Sequence, residues 1–380
     1  MKIAMIASNR KPLPSPKELI FAPGIIINDL TEGLVKKGHD VTLFAPEGTK
    51  TSARLITSGT KSLYEDFASE KDFKQKRSEN LESYFMQDAQ YQLLLDSIAF
   101  EYIQKNNFDI VHSHNPRHEL YFTPLINVPA VFTFHDTERE VSSEIDKQRL
   151  EKFSKSCYFV SISNAQREVF GNLNWAGTVY NGVDTNNYSF SDGGESLLFA
   201  GRMDRRKGID IAVEIAHKLN KPLLIAGDIV KNLDGEKIYR EIKPLIDGEK
   251  IKYLGHIRYD KMSPIYQQSF ALLLPIRWVE SFGLVMTEAM ACGTPVIAFN
   301  KGAVSEVVRD RVTGFVCPSD SINCMTEKIN ELYQMSKNDY HKIRKNCRKH
   351  VTDNFSNEKM VEGYEKIYEK VITDWRNKNA

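Results

Sequence analysis

The chain of 380 residues is 41% hydrophobic and 10% aromatic. These values are typical of a globular protein, and the length suits two cores better than one. Its 51 basic and 50 acidic residues leave a formal net charge of +1, and the two signs also balance within each half of the chain. Neither half has the positive excess that binding to a nucleic-acid backbone needs, so nucleic acid is not expected as a partner.

The cysteines and the hydrophobic segments indicate a cellular location. The five cysteines are odd in number and form no Cys-x-x-Cys pair, which favours buried thiols in a reducing compartment. The N-terminal residues lack the apolar stretch of a signal peptide, and no segment approaches the roughly 20 apolar residues of a membrane span. We therefore expect a soluble cytoplasmic protein, and the sequence leaves peripheral membrane contact open.

In the first half, short apolar runs alternate with amphipathic stretches, a pattern typical of βαβ units and parallel sheets. A helix is predicted at residues 25–37, ended by Gly38, and residues 61–107 should be helical with a loop among them. Strands are predicted at residues 2–7, 40–45, 109–113, 130–135 and 158–163.

The pattern restarts in the second half, with helices predicted at residues 209–219 and 284–292. Strands are predicted there at residues 196–200, 222–226, 251–254, 271–274 and 295–298. The restart predicts two α/β domains, residues 1–178 and 179–355, followed by an amphipathic helix at 356–380 that needs a surface to pack against. Open α/β sheets bind ligands beyond the carboxyl ends of their strands, so we expect the site in the cleft between the domains.

The densest chemical signal is PIRWVESFGLVMTEAMACGTPVIAF, residues 275–299. Glu280 follows a buried strand, Gly283 lets the backbone approach a ligand, and free N–H groups around residues 282–285 would form an anion site where a helix begins. Glu288, on the first turns of that helix, suits the hydroxyls of a ribose. Taken alone, the segment fits a helix with a solvated glutamate equally well.

A second signal is LLFAGRMDRRKGID, residues 197–210. Gly201 opens a loop at a strand's carboxyl end, and the loop carries Arg202, Lys207 and two further arginines. Cations placed there would neutralise a diphosphate. The alternative is a solvated basic loop, which is less attractive when one domain holds two anion-seeking elements.

Together these motifs resemble the signature of family-four glycosyltransferases, which are retaining enzymes. Glu280 and Glu288 stand with seven residues between them inside ESFGLVMTEAMACGTPVIA, and AGRMDRRKG is similar to the family's diphosphate loop. VSISNAQRE, VYNGVD and GLVKKGHDVTLFAP add to a likeness that spans nearly the whole chain. The resemblance implies the α/β fold called GT-B, in which two Rossmann-like domains face each other across a cleft. The N-terminal domain would bind the acceptor, the C-terminal domain the nucleotide sugar, and the last helix would pack back on the N-terminal domain.

The resemblance also implies roles for individual residues. Arg202 and Lys207 would hold the diphosphate, and Glu288 the donor ribose. Glu280 would contact hydroxyls of the donor sugar, towards which His135 would extend from the N-terminal domain. The remaining donor contacts would come from backbone or small groups, at Gly201, Gly255, Ile257, Phe282, Gly283 and Leu284.

The chain departs from the family in its first loop. Members usually have a Gly-Gly pair before the first helix, and the corresponding positions here are Phe21 and Ala22. Gly24 would replace the pair through a shifted loop. Acceptor choice would change with these contacts.

The histidines of HSHNPRH, residues 112–118, raise the question of a metal site. We expect the rings of His112 and His114 on opposite faces of the predicted strand, and no Cys or acidic ligand stands at a familiar zinc spacing. A role for His114, Arg117 or His118 on the acceptor side is preferred. Asp136 and Glu138 could touch the acceptor or be exposed loop acids. Because the chain also contains no Asp-x-Asp, no metal is expected.

The sequence therefore predicts a metal-independent retaining hexosyltransferase. UDP-glucose is the first choice of donor, and a saccharide, a lipid-linked or a small-molecule hydroxyl is the acceptor. A catalytically silent sugar-nucleotide-binding protein remains an alternative, although a pure binder needs no sugar-facing histidine. Another GT-B enzyme, such as an epimerase or a phosphorylase, also remains open. A nicotinamide dehydrogenase is disfavoured because no G-x-G-x-x-G follows the first strand.

Overall fold

The computed structural model describes residues 1–16, 21–66, 80–136, 143–230 and 233–379. The chain divides into two compact units, one formed by Met1–Gly182 with Asn357–Ala380 and the other by Val183–Ser356. Each unit contains one parallel β-sheet. No helix within the described ranges is long and apolar enough to cross a membrane.

The sheet of the first unit has the strand order β3-β2-β1-β4-β5-β6-β7. Its strands are β1 (Lys2–Ile6), β2 (Asp40–Phe44), β3 (Arg54–Ile56), β4 (Ile110–Ser113), β5 (Ala130–Thr133), β6 (Tyr158–Ser161) and β7 (Trp175–Thr178). Within the described residues, the α-helices of this unit are Ala22–Lys36, Leu81–Lys105, Pro116–Glu119, Glu144–Phe153, Asn164–Phe170 and Asn357–Asn379. The order reverses between β1 and β4, which is where open sheets of this type bind ligands.

The sheet of the second unit has the order β10-β9-β8-β11-β12-β13. Its strands are β8 (Ser196–Ala200), β9 (Leu223–Ala226), β10 (Ile251–Gly255), β11 (Ser269–Leu274), β12 (Val296–Phe299) and β13 (Gly314–Cys317). Its α-helices are Ile209–Lys218, Leu233–Ile242, Met262–Gln267, Leu284–Ala291, Val304–Val307, Ile322–Gln334 and Lys337–Asn354. Here the order reverses between β8 and β11.

The predicted fold class is confirmed, because each unit is a Rossmann-like parallel sheet with its helices. Every predicted strand is present, and no end is shifted by more than two residues. The strand predicted at 158–163 ends at Ser161 because Ser163 caps the next helix, its hydroxyl accepting the Gln166 N–H at 3.0 Å. Strands β3, β7 and β13 were not predicted, and residues 67–79 of the stretch expected to be helical lie outside the described residues.

The last helix, Asn357–Asn379, belongs to the first unit. Polar bonds tie it to the first helix of the chain and to the residues that follow that helix: Asn357 donates to Asp29 at 2.8 Å, and Glu365 pairs with His39 at 2.9 Å. The helix also presents an apolar stripe that is buried in this unit. The stripe consists of Met360, Val361, Tyr364, Ile367, Tyr368, Val371 and Ile372.

Candidate functional site

The loop after β8 packs directly against the segment after β11. Gly208 has a φ of +77°, and a Cβ placed on it would lie 1.9 Å from the carbonyl oxygen of Pro275, so only glycine fits. Asp204 is buried and accepts the backbone N–H of Lys207 at 2.9 Å, which shapes the turn between Gly201 and Gly208. The loops after β8 and β11, the two strands between which the sheet order reverses, are thereby held together.

The cations of this loop have different surroundings. The Arg202 side chain is 55% exposed, and its guanidinium lies 3.7 Å from Asp204. The Lys207 side chain is only 16% exposed, and its Nζ lies 2.9 Å from Oε2 of Glu280. Arg205 is directed towards other carboxylates, Glu241 at 2.6 Å and Asp210 at 3.4 Å. The structure therefore joins Lys207 and Glu280 and directs Arg205 elsewhere.

Glu280 is fixed by two donors that meet at one oxygen. Its Oε2 accepts from Lys207 at 2.9 Å and from the indole N–H of Trp278 at 3.1 Å. The Lys207 ammonium also lies 4.3 Å from the centre of the Trp278 ring, a favourable cation–π distance. Sequence reasoning missed Trp278, although an indole two residues before a motif glutamate could have been recognised as its N–H donor.

Arg277 is a second residue that sequence reasoning missed. It makes two hydrogen bonds of 2.8 Å to the carboxylate of Asp210, and it donates to the carbonyl of Arg205 at 2.9 Å. A fork-like pair of this kind is rigid. Arg277 therefore holds the loop after β11 against the loop after β8.

The helix Leu284–Ala291 begins without a side-chain cap. Gly283 occupies the N-cap position with a φ of +84°, and within the described ranges no side-chain cap bond is found at this helix start. Phe282 is buried just before it. Uncapped N–H groups and the positive end of the helix dipole favour a bound anion. The structure thus places the start of a helix shortly after Glu280, and the anion site predicted there stays a prediction.

Glu288 is buried on the same helix, with 5% of its surface exposed. The hydroxyl of Tyr266 donates to its Oε2 at 2.7 Å. Burial raises the pKa of Glu288 to about 7, while hydrogen bonds from Tyr266 and Tyr188 act in the opposite direction. The carboxyl group is therefore part protonated near neutral pH.

Gly255 and Ile257 lie at the carboxyl end of β10. The carbonyl of Gly255 accepts the Gly227 N–H at 2.9 Å. His256, which stands between Gly255 and Ile257 in the sequence, pairs with Asp228 at 2.9 Å. Strand β10 is two places from β8 in the sheet, which is roughly 10 Å at the usual strand spacing. Because the strands are parallel, the carboxyl end of β10 lies on the same edge of the sheet as the loop after β8.

In the first unit, three histidines cluster at the carboxyl ends of β4 and β5. The rings of His112 and His114 lie 4.1 Å apart, centre to centre, and Nδ1 of His114 lies 2.9 Å from Nε2 of His135. The prediction that His112 and His114 lie on opposite faces is wrong, because side chains two residues apart on a strand share a face.

The His112 ring is fixed by both nitrogens. Its Nδ1 lies 2.6 Å from the Tyr368 hydroxyl, and its Nε2 lies 2.8 Å from Oγ1 of Thr133, which in turn lies 3.0 Å from the Tyr364 hydroxyl. Burial lowers the pKa of His112 to about 3 and that of His135 to about 4. The cluster is therefore neutral at physiological pH.

The proposed acceptor-side residues are only partly brought together. Arg117 lies 3.5 Å from Asp146, and burial lowers the pKa of the half-buried His118. Asp136 is exposed beyond β5. Glu138 lies outside the described residues.

The prediction that Gly24 lies in a shifted loop before the first helix is wrong, because Gly24 lies inside the helix Ala22–Lys36. Pro23 occupies the first turn of this helix, where its fixed φ and missing N–H are well tolerated. A Cβ on Gly24 would lie 2.6 Å from the ring of Phe21. Gly24 thus permits close packing at the start of the helix.

Among the described residues, no group of three or more His, Cys, Asp or Glu side chains could hold a metal ion.

Comparisons with known proteins agree with this architecture. The family described as Glycosyl transferases group 1 matches residues 184–350, and Glycosyltransferase Family 4 matches residues 24–187. The two matches together span most of the chain: the first contains all strands of the second sheet, and the other contains strands β2–β7 of the first sheet. The protein belongs to the family-four glycosyltransferases, and its fold is GT-B.

Several relatives are similar along most of the chain. An uncharacterized glycosyltransferase of Methanocaldococcus jannaschii is 27% identical over 284 residues, 71% of this chain and 77% of its own. N-acetyl-alpha-D-glucosaminyl L-malate synthase of Bacillus anthracis is 26% identical over 318 residues, 76% of this chain and 81% of its own.

Solved structures share the fold at lower identity. Sucrose-phosphate synthase from Thermosynechococcus elongatus has a TM-score of 0.70 at 19% identity, over 98% of this chain and 99% of that one. HepE of Anabaena, solved in complex with UDP-glucose, has a TM-score of 0.69 at 17% identity, over 98% of this chain and 100% of that one.

Proposed function

We propose that this glycosyltransferase moves a hexose from a nucleotide-diphosphate sugar, with UDP-glucose the first candidate, to a hydroxyl acceptor, with retention and without a divalent metal. The observation that carries the proposal is the grouping of anion-seeking elements at the switch point of the second unit. Arg202, Lys207 and the uncapped helix end at Gly283 belong to the two loops that follow β8 and β11.

The nucleotide would lie along the carboxyl edge of the second sheet. Glu288 would accept hydrogen bonds from the ribose hydroxyls, and Gly255 and Ile257 would border the base. The spacing of β10 from β8 supports this placement. UDP-glucose is favoured because HepE, which shares the fold, was solved with that compound.

The chemical step requires positive charge where the diphosphate leaves. Negative charge grows on the leaving oxygen as the glycosidic bond breaks, and preorganised donors stabilise it most effectively. Arg202, Lys207 and the N–H groups of Leu284 and its neighbours would supply these donors, with Gly201 and Phe282 shaping the backbone around them. Lys207 is already oriented by Glu280 and Trp278, so little reorganisation is needed.

Retention would follow from attack on the face from which the phosphate departs. The departing phosphate oxygen would accept the proton of the acceptor hydroxyl, so no dedicated base is required. Glu280 is engaged by Lys207 and Trp278, which suits contact with sugar hydroxyls better than nucleophilic attack. His135 would contact the donor sugar.

The test combines a transfer assay with binding measurements. We expect transfer from UDP-glucose or another nucleotide sugar to continue after exhaustive chelation, and proton NMR of the first-formed product to show the donor's anomeric configuration. Inversion, or activity restored only by magnesium or manganese, would contradict the retaining, metal-independent mechanism. Complete absence of donor hydrolysis and transfer would favour a silent binder.

Arg202→Ala and Lys207→Ala test the diphosphate contacts. Losing a charge-assisted hydrogen bond should weaken binding of the nucleoside diphosphate by about 1.5–3 kcal/mol in each variant, measured by titration calorimetry. Arg205→Ala is the matched control, because that guanidinium pairs with Glu241 and Asp210 and its loss should leave affinity near the wild-type value. Unchanged affinity in both test variants would remove this loop from the donor site.

A further inference from the structure

His114 and His135 share a single hydrogen bond, and the position of its proton determines what each ring offers elsewhere. Nδ1 of His114 lies 2.9 Å from Nε2 of His135, so one proton must lie between them. Burial lowers the pKa of both rings, to about 4 for His135 and well below its usual value for His114. Both rings are therefore neutral at physiological pH, and each carries one proton.

The surroundings of His114 indicate which nitrogen is the donor. Its Nε2 is buried and has no hydrogen-bond partner in the part of the chain that the structure describes. If Nδ1 of His114 accepted the bond, the proton would sit on Nε2 as an orphaned buried N–H, the rarer and more costly arrangement. If Nδ1 donates, Nε2 is a bare acceptor and no donor is lost. His135 then accepts at Nε2 and must carry its own proton on Nδ1.

The orientation of His114 is fixed from its other side. The His112 ring lies 4.1 Å from the His114 ring, centre to centre. His112 is itself held at both nitrogens, by the Tyr368 hydroxyl at 2.6 Å and by Thr133 at 2.8 Å. The ring of His114 therefore lies between a fixed neighbour and its bond to His135.

His135 has one nitrogen left for a ligand. Its ring is half-buried at the end of β5, and within the described ranges the only hydrogen bond recorded for it is the one to His114. We infer that His114 is a positioning residue that holds His135 as the Nδ1–H tautomer, so that His135 donates a hydrogen bond to an oxygen of the donor sugar. This inference rests on the proposed function, which supplies the sugar contact.

The consequence is chemical as well as geometric. A neutral N–H binds a lone pair of the sugar oxygen and leaves any hydroxyl proton free to bond elsewhere. A bare nitrogen at the same place would require the hydroxyl to donate and would repel an oxygen that bears no proton. His114 would thus determine whether a correctly placed His135 helps or hinders binding of the sugar.

The direct test is nitrogen-15 NMR of the histidine rings in the full chain at pH 7.5, with the His135 resonances assigned by their loss in His135→Gln. We expect a protonated Nδ1 and a bare Nε2 in His135 of the wild-type protein. In His114→Leu, which removes the donor, the proton of His135 should redistribute towards Nε2. His114→Asn, whose side-chain amide can donate from nearly the same place, should restore the wild-type pattern. His39→Gln changes a histidine that pairs with Glu365 and should leave His135 unchanged.

The kinetic test uses the same variants. We expect kcat to fall about tenfold in His114→Leu, the effect of one mispaired hydrogen bond in the reacting complex, with nucleoside-diphosphate affinity unchanged and with rescue in His114→Asn. A protonated Nε2 in wild-type His135, or a normal kcat in His114→Leu, would overturn this inference in an enzyme that still transfers sugar. Absence of transfer by the wild-type protein would instead overturn the proposed function, while the ring resonances would still report the tautomer.

Discussion

The two units fix their functional side chains by different kinds of bonds. In the second unit the bonds join opposite charges, Lys207 with Glu280 and Arg277 with Asp210. In the histidine cluster of the first unit they join neutral groups, such as His112 with Tyr368 and His114 with His135. Charged pairs suit a site that must receive an anion, since their members can exchange partners with it. Neutral pairs suit a buried site, where an isolated charge would be costly.

The two units also differ in how far apart some of the bonded partners stand in the chain. In the second unit the pairs join two short segments, residues 201–210 and 275–288, each of which is a recognisable motif. In the first unit His112 meets a partner 256 positions away, and Thr133 meets one 231 positions away, both on the last helix. The neutral site therefore depends on the last helix, whereas the charged site does not, and this contrast can be tested.

The largest expected effect comes from removing the last helix by ending the chain at Ser356. Its seven buried side chains each contribute about 1.5–3 kcal/mol, a sum comparable with the whole stability of a domain, about 5–15 kcal/mol. Hydrogen exchange should show loss of protection throughout the strands of the first unit, while those of the second unit keep theirs.

A chain that ends at Thr373 is the matched control for this truncation. It removes only residues beyond Ile372, the last buried member of the stripe, and should keep wild-type protection. If the strands β1–β7 stayed protected in the shorter chain, the helix would not stabilise the first unit.

The second prediction concerns Glu288 and pH. Because burial raises its pKa from 4.5 to about 7, its contribution to stability is fully present below pH 4.5 and is lost as the pH rises through 7. That loss amounts to about 3 kcal/mol at most. Glu288→Gln cannot ionise, so its free energy of unfolding relative to wild type should rise between pH 5 and pH 8. Hydrogen exchange in β8 and β11 measures the free energy of unfolding of both proteins. If the difference between them did not change with pH, the raised pKa of Glu288 would be contradicted.

Much of the fold follows from the sequence because parallel strands in the middle of a sheet are continuous apolar runs. Strands β1 and β8 are examples, and the sequence predicts both. The strands it does not predict, β3, β7 and β13, all lie at sheet edges and have only three or four residues. Strands β3 and β7 are only partly buried, and β13 is a buried run of four residues that begins with a glycine. Pairing with a neighbour rather than a long apolar run therefore makes them strands.

The candidate site divides in the same way. Arg202, Lys207, Glu280 and Glu288 stand in contiguous motifs, and the sequence predicts where they lie along the elements. It does not predict that Lys207 meets Glu280 and Trp278 or that Arg277 pairs with Asp210, because only folding brings the two loops together. The pairing of His114 with His135 escapes sequence reasoning for the same reason, and periodicity applied wrongly at residues 112 and 114 hid it further.

The smallest effect, and the sharpest comparison, comes from one substitution made in each unit. Tyr266→Phe removes a hydroxyl that donates to Glu288 at 2.7 Å, and Tyr368→Phe removes one bonded to His112 at 2.6 Å. At pH 5 each should cost about 1 kcal/mol of stability in its own unit. Above pH 7 the cost of Tyr266→Phe should rise to about 2 kcal/mol, since its partner is then ionised and charge-assisted bonds are stronger. The cost of Tyr368→Phe should stay constant from pH 5 to 9, because burial lowers the pKa of His112 to about 3. Hydrogen exchange resolved by unit gives both values, and an equal pH dependence of the two variants would contradict the contrast between a charged and a neutral site.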